Sequence, residues 1–174
     1  MILDILNKIA ATDSTNEKLA ILKQNASKLT LERVYRLAYH PRLQYGIKKI
    51  PEYEQAFDSV TVDIEHALDV LENVIAKRVV TGNAAIALLM DILCTASSDN
   101  AEAIKRIIKR DLECGASATI ANKVWKDLIP KQPQMLASSY SEKALSFIKF
   151  PAYAQLKADG ARCFAEIYGD DVED

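Results

Sequence analysis

The sequence predicts a mainly α-helical protein on three observations. Apolar residues recur at helical spacing from the start to about Trp125, capping signals precede several of those runs, and only five glycines and five prolines interrupt 174 residues. The helical pattern is expected to form one domain over residues 1–129. Residues 130–174 read as a linker followed by the short-stranded, incomplete start of a second domain.

Ile2, Ile5, Leu6 and Ile9 share one face of a first helix, and Ser14-x-x-Glu17 has the form of a capping box that opens a second. Leu31, Val34, Tyr35 and Ala38 place a third helix, which Pro41 stops. The stripe Ile64, Ala67, Leu68, Leu71, Val74 and Ile75 gives a fourth. Thr81-Gly82-Asn83 breaks the pattern and begins the next helix, Asp99-x-x-Glu102 reads as another capping box, and Gly115-Ala116-Ser117 precedes the last, for about seven helices in all. Beyond Trp125, Pro130 and Pro133 disfavour helix in the stretch Leu128–Met135, so the domain boundary is expected near 129–133. Residues 152–156 and 163–168 read as two short strands joined at Asp159-Gly160. A lone hairpin is marginally stable, so these strands call for partners.

Composition narrows the function classes. With 49% hydrophobic and 26% charged residues the chain is neither disordered nor fibrous, and the apolar run Ala84–Met90 falls far short of the roughly 18 residues of a membrane span. No signal peptide is read, and a cytoplasmic location is expected. Cys94, Cys114 and Cys163 are odd in number and lack C-x-x-C spacing, which gives neither a disulfide framework nor a zinc site. His40 and His66 are read as structural or surface residues, and no metal ligand is assigned. Trp125 and the tyrosines at 35, 39 and 45 are read as packing residues rather than as platforms for bases.

The net charge of −2 hides blocks: residues 1–50 carry +5, 51–100 carry −7, 101–150 carry +4 and 151–174 carry −4. A fold that gathers the first and third blocks has a basic face suited to a polyanion; solvated charges on separate helix faces explain the same pattern equally well.

One motif carries chemistry. Lys157-Ala158-Asp159-Gly160-Ala161-Arg162 fits K-x-D-G-x-R, a pattern expected by chance on the order of once in a thousand chains of this length. It is the signature of covalent nucleotidyltransferases. A lysine amine attacks only when neutral, so such a site has to depress its pKa by burial or by neighbouring cations.

The motif, together with Arg110-Asp111-Leu112-Glu113-Cys114-Gly115-Ala116-Ser117, Ile120-Ala121-Asn122-Lys123-Val124-Trp125, Gln132–Tyr140 and Lys149–Glu166, resembles the amino-terminal part of ATP-dependent DNA ligases of the T-even bacteriophage type. The resemblance implies a helical DNA-binding domain ahead of an adenylation domain. It implies that Lys157 takes AMP from ATP with the help of Mg²⁺, that the AMP passes to the 5′-phosphate of nicked double-stranded DNA, and that the 3′-hydroxyl displaces it in replication, repair and recombination. Arg162 matches the arginine that contacts the ribose of the nucleotide. Gln155 stands where many relatives have a glutamate that recognises adenine, and adenine contact is assigned to Gln155 or the neighbouring backbone at Leu156.

In the helical part, Thr81, Gly82, Asn83, Gly115 and Ser117 are expected to supply backbone N–H groups and side chains for phosphates, while Lys77-Arg78, Lys105-Arg106 and Lys109-Arg110 ahead of these starts, and Lys123, add charge. The later motifs of the family do not follow Arg162, so the polypeptide alone is expected to be inactive as an enzyme. Three readings stay open: a truncated or split ligase completed by a second polypeptide, a noncatalytic module that binds intact or nicked duplex, and a gene product without activity.

Overall fold

A computed structural model describes residues 1–55, 62–131 and 139–153. It divides into two units, Met1–Gln132 and Pro133–Asp174. The first holds seven α-helices among the described residues: α1 (Ile2–Ala10), α2 (Thr15–Gln24), α3 (Leu29–Tyr39), α4 (Ile64–Val70), α5 (Gly82–Thr95), α6 (Ser98–Lys109) and α7 (Ala118–Val124). The second shows a single short turn of helix, α8 (Glu142–Leu145), whose N-cap Ser141 accepts from the Ala144 N–H at 3.0 Å. No sheet is present among the described residues, where the only β pairing is the isolated bridge between Val62 and Ala96. Of the two strands expected from the sequence, only Ala152 and Tyr153 fall within the described residues, and they are in neither helix nor strand; the rest lies outside them.

The helical faces read from the sequence are the buried ones. Ile5, Leu6 and Ile9 of α1, Leu31, Val34, Tyr35 and Ala38 of α3, and Ala67, Leu68, Leu71 and Ile75 of α4 and its continuation all enter one core. Helix α6 packs on α1, α3 and α5, and α7 packs on α2 and α3, so the helices of the first charge block pack against the part of the third that lies in α6 and α7.

Two local readings need correction. Helix α6 begins earlier than Asp99: Ser97 is its N-cap and accepts from the Asn100 N–H at 3.3 Å. Asp99 lies in the first turn, where its charge suits the helix dipole, and Glu102 turns instead to Lys105 and Arg106. At α2 only half of the box forms: the Ser14 Oγ accepts from the Glu17 N–H at 3.5 Å, while the Glu17 carboxylate takes the Thr12 hydroxyl. Helix α4 also runs into a π-helical turn at Leu71–Ile75, which apolar periodicity does not foretell.

Three carboxylates of the acidic second block are gathered by α3. Arg33 of α3 reaches Glu65 at 3.2 Å, Asp69 at 2.5 Å and Glu72 at 2.9 Å, and Arg36 reaches Glu72 at 2.6 Å. Burial alone raises the Glu72 pKa, but the hydrogen bonds from Arg36 and Arg33 outweigh it and hold the carboxyl below the usual range. A depressed carboxylate contributes stability that is present above the unfolded value, near 4.5, and lost as pH falls through the folded one.

Arg33→Ala is therefore expected to cost about 1–3 kcal/mol at pH 7, mostly through Glu72, since Glu65 and Asp69 are screened by solvent. The difference from the wild type is expected to shrink toward zero once these carboxylates are protonated. Urea melts of the two proteins at pH 7 and pH 3 check this, and an equal difference at both pH values contradicts it.

Candidate nucleic-acid interface

The first expected phosphate site is an open helix start. Thr81 is the N-cap of the 14-residue α5 with its hydroxyl free of any capping bond, and Thr81, Gly82 and Asn83 are all exposed. A side chain built on Gly82 meets nothing within 4 Å, so the space beside this helix start is open. Just upstream, Lys77 donates to Asn73 Oδ1 at 2.9 Å.

The second is the turn from α6 into α7, and here the structure shows why the loop holds its shape. Arg110 closes α6 in the left-handed region at φ 59°, and its guanidinium donates to the carbonyls of His40, at 2.9 Å, and Leu43. The Leu112 N–H donates to the Tyr39 hydroxyl at 3.3 Å, Asp111 Oδ1 accepts from the Glu113 N–H at 2.8 Å, and Lys18 of α2 donates to the Cys114 carbonyl at 3.0 Å. Gly115 sits at φ +64°, and a Cβ there runs into the Lys18 ammonium. A side chain at 115 therefore opposes both the backbone conformation and the lysine that pins the turn. Ser117 is the exposed N-cap of α7, with no capping bond from its own hydroxyl.

The lysines proposed from sequence divide by their surroundings. Lys105 pairs with Glu102 at 2.6 Å and lies over the Tyr53 ring at 5.8 Å; the Glu102 hydrogen bond is the main cause of its raised pKa. Lys109 pairs with Glu113 at 3.2 Å on the surface. Arg106 is a structural cation, bonded to Glu102, Asn7 Oδ1 and the Leu112 carbonyl. Lys123, in the last turn of α7, is exposed and has no ion-pair partner among the described residues.

The aromatics read as packing residues are packed: Tyr35 is fully buried, the Tyr45 hydroxyl donates to the Leu37 carbonyl at 2.8 Å, and Trp125 Nε1 donates to the Ala26 carbonyl at 3.1 Å. Burial drives the Tyr39 phenol up to about 12. Lys157, Arg162, Gln155 and Leu156 lie outside the described residues. No group of three or more metal-ligating side chains occurs among the described residues, nor any helix long and apolar enough to cross a membrane.

Over its whole length the chain is 54% identical to the DNA ligase of Enterobacteria phage T4, and equally to that of Enterobacteria phage T6. It is a relative of the phage DNA ligases. The chain spans 36% of the length of these ligases. Solved structures titled Pmar-Lig_PreS3 and Pmar-Lig_Pre. match its fold at a TM-score of 0.62 each, with 20% and 22% identity. The matches cover 75% and 72% of this chain, and 31% and 29% of those chains. At that identity the likeness concerns the fold. No family model matches the chain.

Proposed function

We propose that this chain is the duplex-gripping and nucleophile-bearing part of an ATP-dependent DNA ligase that seals nicks in the cytoplasm of a bacterial host. The observation that carries the reading is the hexapeptide Lys157–Arg162 in a sequence that resembles phage DNA ligases from end to end. In this reading the helical unit, taken as residues 1–129, is the DNA-binding domain, and residues 130–174 begin the adenylation domain.

The two exposed starts, Thr81-Gly82-Asn83 and Gly115–Ser117, with Lys109 and Lys123, hold phosphates of the duplex by backbone N–H groups, hydroxyls and charge. Lys105 serves the same face more through its place in the Glu102 pair than as an open cation. Such contacts carry no base sequence, as a nick sealer requires.

The chemistry follows from the lysine. The neutral amine of Lys157 bonds to the α-phosphorus of ATP as pyrophosphate leaves with the bond electrons. The 5′-phosphate of the nick then takes the AMP, which frees the amine, and the 3′-hydroxyl displaces AMP to form the phosphodiester. Arg162 and Gln155, with the backbone at Leu156, orient the nucleotide, and Mg²⁺ supplies positive charge against the leaving pyrophosphate. The residues that complete this site in the relatives lie on a continuation of the chain or on a second polypeptide.

Binding tests the first half of the reading. The chain is expected to bind nicked and intact duplexes of unrelated sequence alike, with log affinity falling linearly in log salt by roughly 0.9 for each phosphate engaged. Lys123→Ala should lower that slope by about one contact. Absence of binding at 50 mM salt, or a slope near zero, contradicts the proposal.

A further inference from the structure

Between α3 and α4 the chain leaves helical structure at His40 and runs irregularly through residue 50. Tyr45, 4% exposed, anchors this loop in the core. Beyond it Gly46 adopts φ +68°, and a Cβ there collides with the Arg78 guanidinium, so Arg78 lies directly against the loop backbone. On the other side Arg110 holds the carbonyls of His40 and Leu43. A groove of about 260 Å³ beside the loop is lined by Gln44, Tyr45, Gly46, Lys48, Ile108 and Arg110, while Arg78 lies against the loop backbone at Gly46.

The loop and its neighbour Arg78 carry several cations. Lys48, Lys49 and Arg78 are exposed and have no ion-pair partner among the described residues. Glu72 is engaged by Arg33 and Arg36, Glu113 by Lys109 and Arg106, and Asp111 Oδ1 by the Glu113 N–H, while Glu52 and Glu54, which follow Lys49 in the chain, are exposed. Burial first, and then the charges of Arg36, Arg42 and Arg110, push the His40 pKa down, as expected where several guanidinium groups crowd one place. The backbone N–H groups of Gly46, Ile47 and Lys48 donate to no acceptor among the described residues.

From this juxtaposition we infer that the Gly46 loop, with Lys48, Lys49 and Arg78, is a further contact for the phosphate backbone of duplex DNA. The inference rests on the duplex-binding function proposed above. Its position favours a polyanion over a single small anion. Arg78 precedes the α5 start by a few residues, and Arg110 precedes the Gly115 turn by a few, so the loop touches residues that adjoin both exposed helix starts. Cations spread over these segments match charges that repeat along a strand. The contact carries charge and backbone N–H donors but no arrangement suited to base edges, so it adds affinity without sequence preference.

The test compares the full chain with Lys48→Ala/Lys49→Ala and with Lys48→Ala/Arg78→Ala on a nicked duplex across a salt series. Thermal melts accompany each variant. Each double variant is expected to lower the log–log salt slope by up to about 1.8, roughly 0.9 for each lost charge, with its melting temperature unchanged. Lys48→Arg/Arg78→Lys should keep the wild-type slope. Because Lys48 and Lys49 are exposed, the first variant reads out binding even if a change at Arg78 disturbs the loop. Wild-type binding with unchanged slopes in both alanine variants overturns this inference and leaves the duplex-binding function standing. A wild-type chain that binds no duplex at low salt overturns both.

Discussion

Tyr35→Ala is expected to destabilise the helical unit by about 3–5 kcal/mol, the range for removing a large buried aromatic from a core that cannot collapse around the gap. Tyr35 is fully buried; its ring centroid lies 5.6 Å from that of Trp125 and 6.0 Å from that of Tyr39, with its hydroxyl 3.4 Å from Cys114 Sγ. The ring thus joins α3 to the residue just after α7 and to the turn that presents Gly115 and Ser117. Burial, reinforced by Cys114, raises the phenol pKa well above its ordinary value, so the group is a neutral hydroxyl at neutral pH. Tyr35→Phe keeps the ring and loses only the contact to sulfur, for an expected cost under about 1 kcal/mol. Thermal melts should show a drop of roughly 10–20 °C for alanine and a few degrees at most for phenylalanine. Equal losses in the two variants would place the energy in the hydroxyl and refute the packing account. Because the same ring supports the Gly115 turn, Tyr35→Ala should also weaken duplex binding at temperatures where the protein is still mostly folded.

The contrast between Tyr35 and Arg33 shows which parts of this molecule are written locally. Tyr35 lies on a stripe with Leu31, Val34 and Ala38, and period alone assigns it to the core. Arg33, on the other face of the same helix, looks like a surface charge in the sequence. Only the packing of α3 on α4 reveals that it gathers three carboxylates. Local capping signals fail for a related reason. Ser97 and Asp99 can each begin α6, and the choice of Ser97 goes with the chain around it, where Ala96 pairs with Val62 and Ser98 donates to Gln55 at 2.8 Å.

The candidate interface divides in the same way. Glycine-marked helix starts at 82 and 115 were visible because a break in period together with a capping residue is a short-range signal. The contact at Gly46 was not, since it needs Arg78 and Arg110 to return to a loop more than thirty and sixty residues away. Likewise, Lys105 and Lys109 stand out as charges in the sequence, but their carboxylate partners, within one turn on the same stretch, take up part of that charge.

Lys157→Ala is expected to abolish self-adenylation altogether, and the measurement needs a polypeptide with a complete adenylation site. Fusing residues 1–174 to the remainder of phage T4 DNA ligase is a reasonable way to build one, given 54% identity across the shared part. The fusion should take label from α-labelled ATP with Mg²⁺ and seal a nicked duplex. In the proposed mechanism, Lys157→Ala removes the group that bonds to phosphorus. Lys157→Arg should fail as well, because a guanidinium stays protonated at any workable pH and offers no free electron pair.

Both variants should bind duplex as the parent does, which separates lost chemistry from lost folding. A further arm isolates the step. On a nick whose 5′-phosphate already carries AMP, the lysine has no bond left to make, and only the 3′-hydroxyl has to attack. Lys157→Ala should therefore still close the pre-adenylated nick while failing completely on an ordinary nick with ATP. Label on the alanine variant would remove Lys157 from the reaction. Failure on both substrates would instead mean that this position also holds the nick in place for the final displacement.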